Sequence, residues 1–144
     1  MKSIGSIPGV LLLAPIVGLA ACSETFDNTY NSYPEAVAAG AVSAGWVPNW
    51  LPEQASDIVE VHNIDTNAVM LRFNYPKTVQ VRFPANCSRV AMAKVTSPPF
   101  ERSWWPADVP ERNSNAPKHE YWKCANQYVA ILANRQQGLV WSPE

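Results

Sequence analysis

The sequence predicts an α+β domain: one N-terminal helix packed on an antiparallel sheet of about five to six strands, with a long Pro-rich loop. Three observations carry this expectation. PEAVAAGAVSAG, residues 34–45, is Ala-rich and has helix boundary signals. After it, apolar and polar residues alternate with a period of two in several short runs. SPPFERSWWPADVPERNSNAP, residues 97–117, then places five prolines in 21 residues, and no helical or strand period survives there.

Taken in order, the helix starts at Pro34, a residue suited to a first helical position. Glu35 complements the positive N-terminal end, and Gly45 supplies a stop. Val37, Ala41 and Ala44 form its expected buried stripe. WVPNWLPEQASD is too rich in proline for regular structure and is expected to pack Trp46, Trp50 and Leu51 inward.

In IVEVHNI, Val59 and Val61 alternate with Glu60 and His62. In AVMLRFNY, Val69, Leu71 and Phe73 alternate with Met70 and Arg72. Residues facing each other across an antiparallel pair point to one side, so odd should meet odd. A three-residue turn of Asp65, Thr66 and Asn67 satisfies this, with Asn67 in the left-handed conformation. The register then sets Val61 opposite Leu71, and Glu60 opposite Arg72 on a solvated face. TVQVRF, residues 78–83, reads as a third strand, and NCSRVAMAKV, residues 86–95, fits either a strand or a short helix. EYWKC, QYVAILA and LVWS complete the set, and the two-sided apolar QYVAILA belongs in the middle of a sheet.

Ahead of the domain, IPGVLLLAPIVGLAAC carries no charge between residues 4 and 21 and follows Lys2, the layout of a secretory signal. Pro8, Gly9, Pro15 and Gly18 weaken it as a spanning helix. Leu19, Ala20, Ala21 and Cys22 resemble the bacterial lipobox. That resemblance implies a signal peptide over residues 1–21, diacylglycerol on the Cys22 sulfur, cleavage before it and acylation of the new amine. Several acyl chains together hold a protein at a membrane without spanning it. Ser23, in the place where Asp favours inner-membrane retention, points to the outer membrane, with the protein facing the periplasm. Residues 22–33 then read as a lipidated tether whose eleven residues after Cys22 reach about 20 Å, and residues 34–144 as a single domain.

Without Lys2, ten Lys and Arg stand against twelve Asp and Glu, a net charge of −2. That balance offers no basic surface for nucleic acid. In an oxidising compartment Cys87 and Cys124 are expected to pair as a disulfide. A zinc site completed by His62 and His119 lacks any close Cys or His pair, so no metal and no cofactor is expected. GWVPNWLPEQASDIVEVHNIDTN, residues 45–67, is similar to a segment of uncharacterised small exported bacterial lipoproteins, a resemblance that implies a class and no activity.

Chemistry has little foothold. GAVSAG misses the nucleophile elbow by one position, and neither a phosphate loop nor a His-Glu-x-x-His is present. His62 with Asp65 could serve as acid or base, and Glu101, Asp108 and Glu111 as glycosidase carboxylates; a solvated surface explains both groups as well. No catalytic residue is assigned. Trp104 and Trp105, adjacent in the Pro-rich loop with Arg102 and Arg112 nearby, have the composition of an interface hot spot. They equally suit a lid folded over the sheet. The expected function is therefore a non-enzymatic protein-binding lipoprotein, for an envelope component or a toxin that it neutralises. Glycan or peptidoglycan binding is the alternative, and a hydrolase the third reading.

Overall fold

The computed structural model describes residues 24–111 and 118–143. One antiparallel sheet of seven strands dominates them: β1 (Thr25–Ser32), β2 (Ser56–Asn63), β3 (Val69–Asn74), β4 (Cys87–Arg89), β5 (Glu120–Cys124), β6 (Gln127–Leu132) and β7 (Gln137–Trp141). Their spatial order is β1-β2-β3-β7-β6-β5-β4. The fold is mostly β, and its helix content is small: α1 covers only Tyr33–Ala38.

Two corrections concern the N-terminal part. Residues 25–32, expected within the tether, form β1, which pairs with β2 from Thr25↔Asn63 to Ser32↔Ser56. TFDNTYNS hides a strand because the side it turns toward the first layer carries only an exposed Phe26 and the half-buried Asn28 and Tyr30, between polar residues. The helix starts as expected, with the Ser32 hydroxyl accepting from the Glu35 N–H at 3.3 Å, but it stops far short of Gly45. Gly40, at φ +80, turns the chain into a series of tight bends. Ala36 and Ala41 are therefore the buried residues here, while Val37 and Ala44 face out.

The β2–β3 register differs from expectation by one residue. Glu60 faces Leu71, Val61 faces Met70 and Val59 faces Arg72. The cause is the Asn63 side chain, whose Oδ1 accepts from the backbone N–H groups of Asp65 and Thr66 and from the Thr66 hydroxyl. This closes a four-residue connection, with the Asn63 N–H donating to the Ala68 carbonyl. Asn67 does take the left-handed conformation, at φ 56.

TVQVRF is not a strand. β3 already has both edges occupied, by β2 and β7, so residues 78–83 cross a sheet face instead. The segment 86–95 divides into β4 and a 3₁₀ turn at Met92–Lys94. Cys87 and Cys124 face each other at the start of β4 and the end of β5, Cα atoms 4.0 Å apart, and form the disulfide.

Both faces of the sheet are covered. On one, Ile58, Leu71, Phe73, Val129 and Val140 meet Ala36, Ala41, Val47 and Leu51 from α1 and the bends after it. On the other, Val61, Met70, Leu139 and Trp141 meet Val95 and Val109, flanked by Phe100, Trp104 and Trp105 from the Pro-rich segment. The architecture is a central sheet between two irregular layers, which removes the solvated face that alternation alone implies.

Candidate functional site

Residues 97–111 of the Pro-rich segment lie across the second face as a lid. Trp104 and Trp105 are half-buried, with the Trp105 ring edge-on to Trp141 at 5.4 Å. The Trp105 indole N–H donates to the Val109 carbonyl at 2.8 Å. Arg72, rising from β3 beneath the loop, donates to the Trp104 carbonyl at 3.0 Å and lies 5.9 Å from that indole's centre. Arg102 does not project into solvent as a free cation. It holds both carboxylate oxygens of Asp27 on β1, at 2.7 and 2.8 Å, and this pairing keeps the Asp27 carboxyl below its ordinary range. The structure thus brings three of the expected binding residues together, with the Arg102 guanidinium, the Trp105 indole N–H and the Trp104 carbonyl bonded inside the chain. Arg112, and with it Cys22, lies outside the described residues.

The opposite face holds a polar cluster that alternation placed in solvent. Glu60 is fully buried and His62 nearly so. The Glu60 carboxylate lies 3.0 and 3.2 Å from His62 Nδ1 and accepts from Asn28 Nδ2 at 2.7 Å. The His62 ring stacks on Trp46 at 4.0 Å with 6° between planes, and on Phe26 at 5.6 Å. Burial pushes the Glu60 carboxyl above its ordinary value, and the hydrogen bonds from His62 and Asn28 act against that rise. The partner of His62 is Glu60, therefore, and not Asp65.

Of the other candidate carboxylates, Asp108 and Glu111 are bonded within the chain. Asp108 binds Arg135 through two contacts, at 3.1 and 2.6 Å, and lies 3.3 Å from His119 Nε2. Arg135, followed by His119, holds its carboxyl below the usual range, the wrong direction for a general acid. Glu111 accepts from the backbone of Lys118 and His119, and burial raises the adjacent Tyr121 phenol to about 12. Glu101 is exposed.

A cleft of about 860 Å³ was not anticipated from sequence. It opens where β3 and β6 end and β5 begins, beneath residues 77–83, and is lined by Tyr75, Lys77, Arg82, Phe83, Glu120 and Trp122 among others. Phe83 stacks on Trp122 at 4.5 Å, and the Arg89 guanidinium lies 5.7 Å from the same indole. The signal available in the sequence was TVQVRF itself. Once it is not a strand, its alternation sends Val79, Val81 and Phe83 inward and Gln80 and Arg82 outward, which makes one wall of a cleft.

A family model described as the YbbD head domain matches residues 24–74. The matched stretch runs from the residue before β1 to the end of β3, and it includes α1 and the Glu60–His62 cluster. No curated protein and no solved structure matches the chain.

Proposed function

We propose that this protein is a lipid-anchored cell-envelope module, facing the periplasm and held by acylated Cys22, that binds a protein partner and performs no catalysis. The partner is an envelope component or a toxin that the module neutralises. One observation supports the reading: the start of β1 and the cleft lie at opposite strand ends of the sheet. β1 begins three residues after Cys22, whereas the large cleft opens at the opposite strand ends of β3, β5 and β6. The Cys87–Cys124 disulfide agrees with an exported location. The cleft combines apolar and aromatic walls with Lys77, Arg82 and Glu120, the mixture that suits a polypeptide segment.

Its aromatic residues also support a second reading, glycan binding. The π surface of Trp122 is already engaged by Phe83 and Arg89, which ranks this reading below the first. The test is chemical crosslinking in the envelope followed by capture. A stoichiometric protein partner should be recovered with the natural chain and lost with Arg82→Glu plus Phe83→Ala. Retention on isolated sacculi, impaired by the same pair, would favour glycan instead. Lipid labelling that persists in Cys22→Ser would remove the anchor.

A further inference from the structure

Three large hydrophobic side chains are markedly exposed among the described residues: Phe26 at 45 %, Val37 at 49 % and Ile64 at 50 %. Two of them share one place. Phe26 pairs with His62 across β1 and β2, and the Ile64 N–H donates to the Glu24 carbonyl at 3.0 Å, extending that pairing one step beyond the strand. Ile64 therefore sits at the tip of the β2–β3 connection, next to the point where the chain enters the sheet. From Cys22 to Thr25 are three peptide steps, at most about 11 Å of extended chain. A tether of that length cannot lift this end of the domain clear of a bilayer to which Cys22 is joined.

Building on the lipid-anchored reading above, we propose that Phe26 and Ile64 form a seat that enters the lipid leaflet beside Cys22 and fixes the orientation of the domain on the membrane. The occupant is a zwitterionic phospholipid leaflet. Glu24 and Asp65 flank the seat, and their side chains interact with each other, so an anionic surface would be repelled. An apolar residue at the interface beside an acyl anchor adds the second contact that a single flexible tether lacks. With this end seated, the cleft lined by Lys77, Arg82 and Glu120 is carried at the far strand ends, away from the bilayer. Val37, on α1 beyond the other end of β1, is the internal control.

The experiment places an environment-sensitive fluorescent amino acid at position 64 or at position 37 of the full chain. Mass spectrometry first establishes whether Cys22 carries acyl chains, and the protein is then reconstituted in phosphatidylcholine vesicles. The probe at 64 should shift to the blue, lose quenching by iodide and gain quenching by shallow nitroxide lipids, while the probe at 37 should do none of these. Phe26→Ser should return the probe at 64 to water. A probe at 64 as iodide-accessible as that at 37, on acylated protein, overturns the seat and leaves the anchor standing. If Cys22 proves unacylated, the anchor reading fails by itself. Coupling Cys22 to a maleimide phospholipid then gives the same optical readout, which decides the seat independently. A response that requires phosphatidylglycerol would overturn the zwitterionic assignment.

Discussion

The two layers that cover the sheet are built from similar material and held in opposite ways. Residues 39–55 and residues 95–111 are both irregular, and each carries proline and a pair of tryptophans. The first layer is pinned by a buried polar contact. Trp46 lies flat on His62, which is bonded to a fully buried Glu60, so the layer and the β1–β2 pair share one core. The second is pinned from outside, by Asp27 to Arg102 and Asp108 to Arg135, both partly exposed, and by the backbone bonds of Arg72 and Trp105. Buried pairs are strongly destabilising to break from one side, whereas exposed ion pairs contribute little each. The first layer should therefore open only with the sheet, and the second before it.

The disulfide gives the widest separation between them. It closes 37 residues, including the whole second layer, and ties edge strand β4 to β5. Replacing both Cys87 and Cys124 by Ser should lower stability by roughly 3 to 4 kcal/mol in the chain-entropy treatment. Hydrogen exchange should show the Trp104–Trp105 segment opening first, with the amides of β2 and β3 still protected. Equal unfolding midpoints with and without reductant would deny the bridge this role.

A similar cost, reached by another route, is expected from Glu60→Ala. It leaves the buried His62 and the half-buried Asn28 without their acceptor, for about 3 kcal/mol. Glu60→Gln, which keeps an acceptor, should cost roughly 1 kcal/mol. Thermal unfolding followed by circular dichroism checks both, and a loss under 1 kcal/mol for the alanine variant would show that the first layer is not held by this pair.

What the sequence made legible follows the same division. Period-two alternation located β2 and β3, whose apolar face is real whatever covers the other side, and short apolar runs located the three C-terminal strands, β6 being apolar on both faces. Two cysteines expected in an oxidising compartment pointed to the disulfide, and turn chemistry to the left-handed Asn67. Alternation misplaced Glu60 and His62, because a polar residue in an alternating strand looks the same whether it meets water or a second layer. β1 was missed for the complementary reason: its polar side is the edge of the molecule, and its covered side includes Asn28, bonded to Glu60. TVQVRF has strand periodicity and no free partner. Its place beside β3 is taken by β7, 63 to 71 residues away along the pairing, and nothing local encodes that choice. The Trp104–Trp105 pair was recognisable as special, but not the Arg72 beneath it or the cleft on the other face.

The smallest expected effect is also the most diagnostic, because acid should act on the two layers with opposite sign. Asp27 has a folded value below its ordinary 3.8, so its stabilising pairing with Arg102 is fully present above 3.8 and is lost as pH falls through the lower folded value. Asp108 behaves likewise with Arg135. Glu60 has a folded value above its ordinary 4.5, so the folded state takes up its proton first, and its contribution grows as pH falls from the raised value through 4.5. Between pH 4 and pH 2 the second layer should therefore loosen by up to about 1 kcal/mol, since the ion pairs are half-exposed, while the first layer gains no such weakness from its buried acid. The observable is the Trp105 indole N–H, bonded to the Val109 carbonyl. Its exchange, corrected for intrinsic pH dependence, should accelerate across that range relative to the β2 amides. Asp27→Asn should start out faster at pH 7 and show a shallower acid dependence. If the β2 amides lose protection first, or the asparagine variant keeps the full acid response, then the ion pairs do not hold the lid, and its apolar contacts with Trp141 and Val95 must.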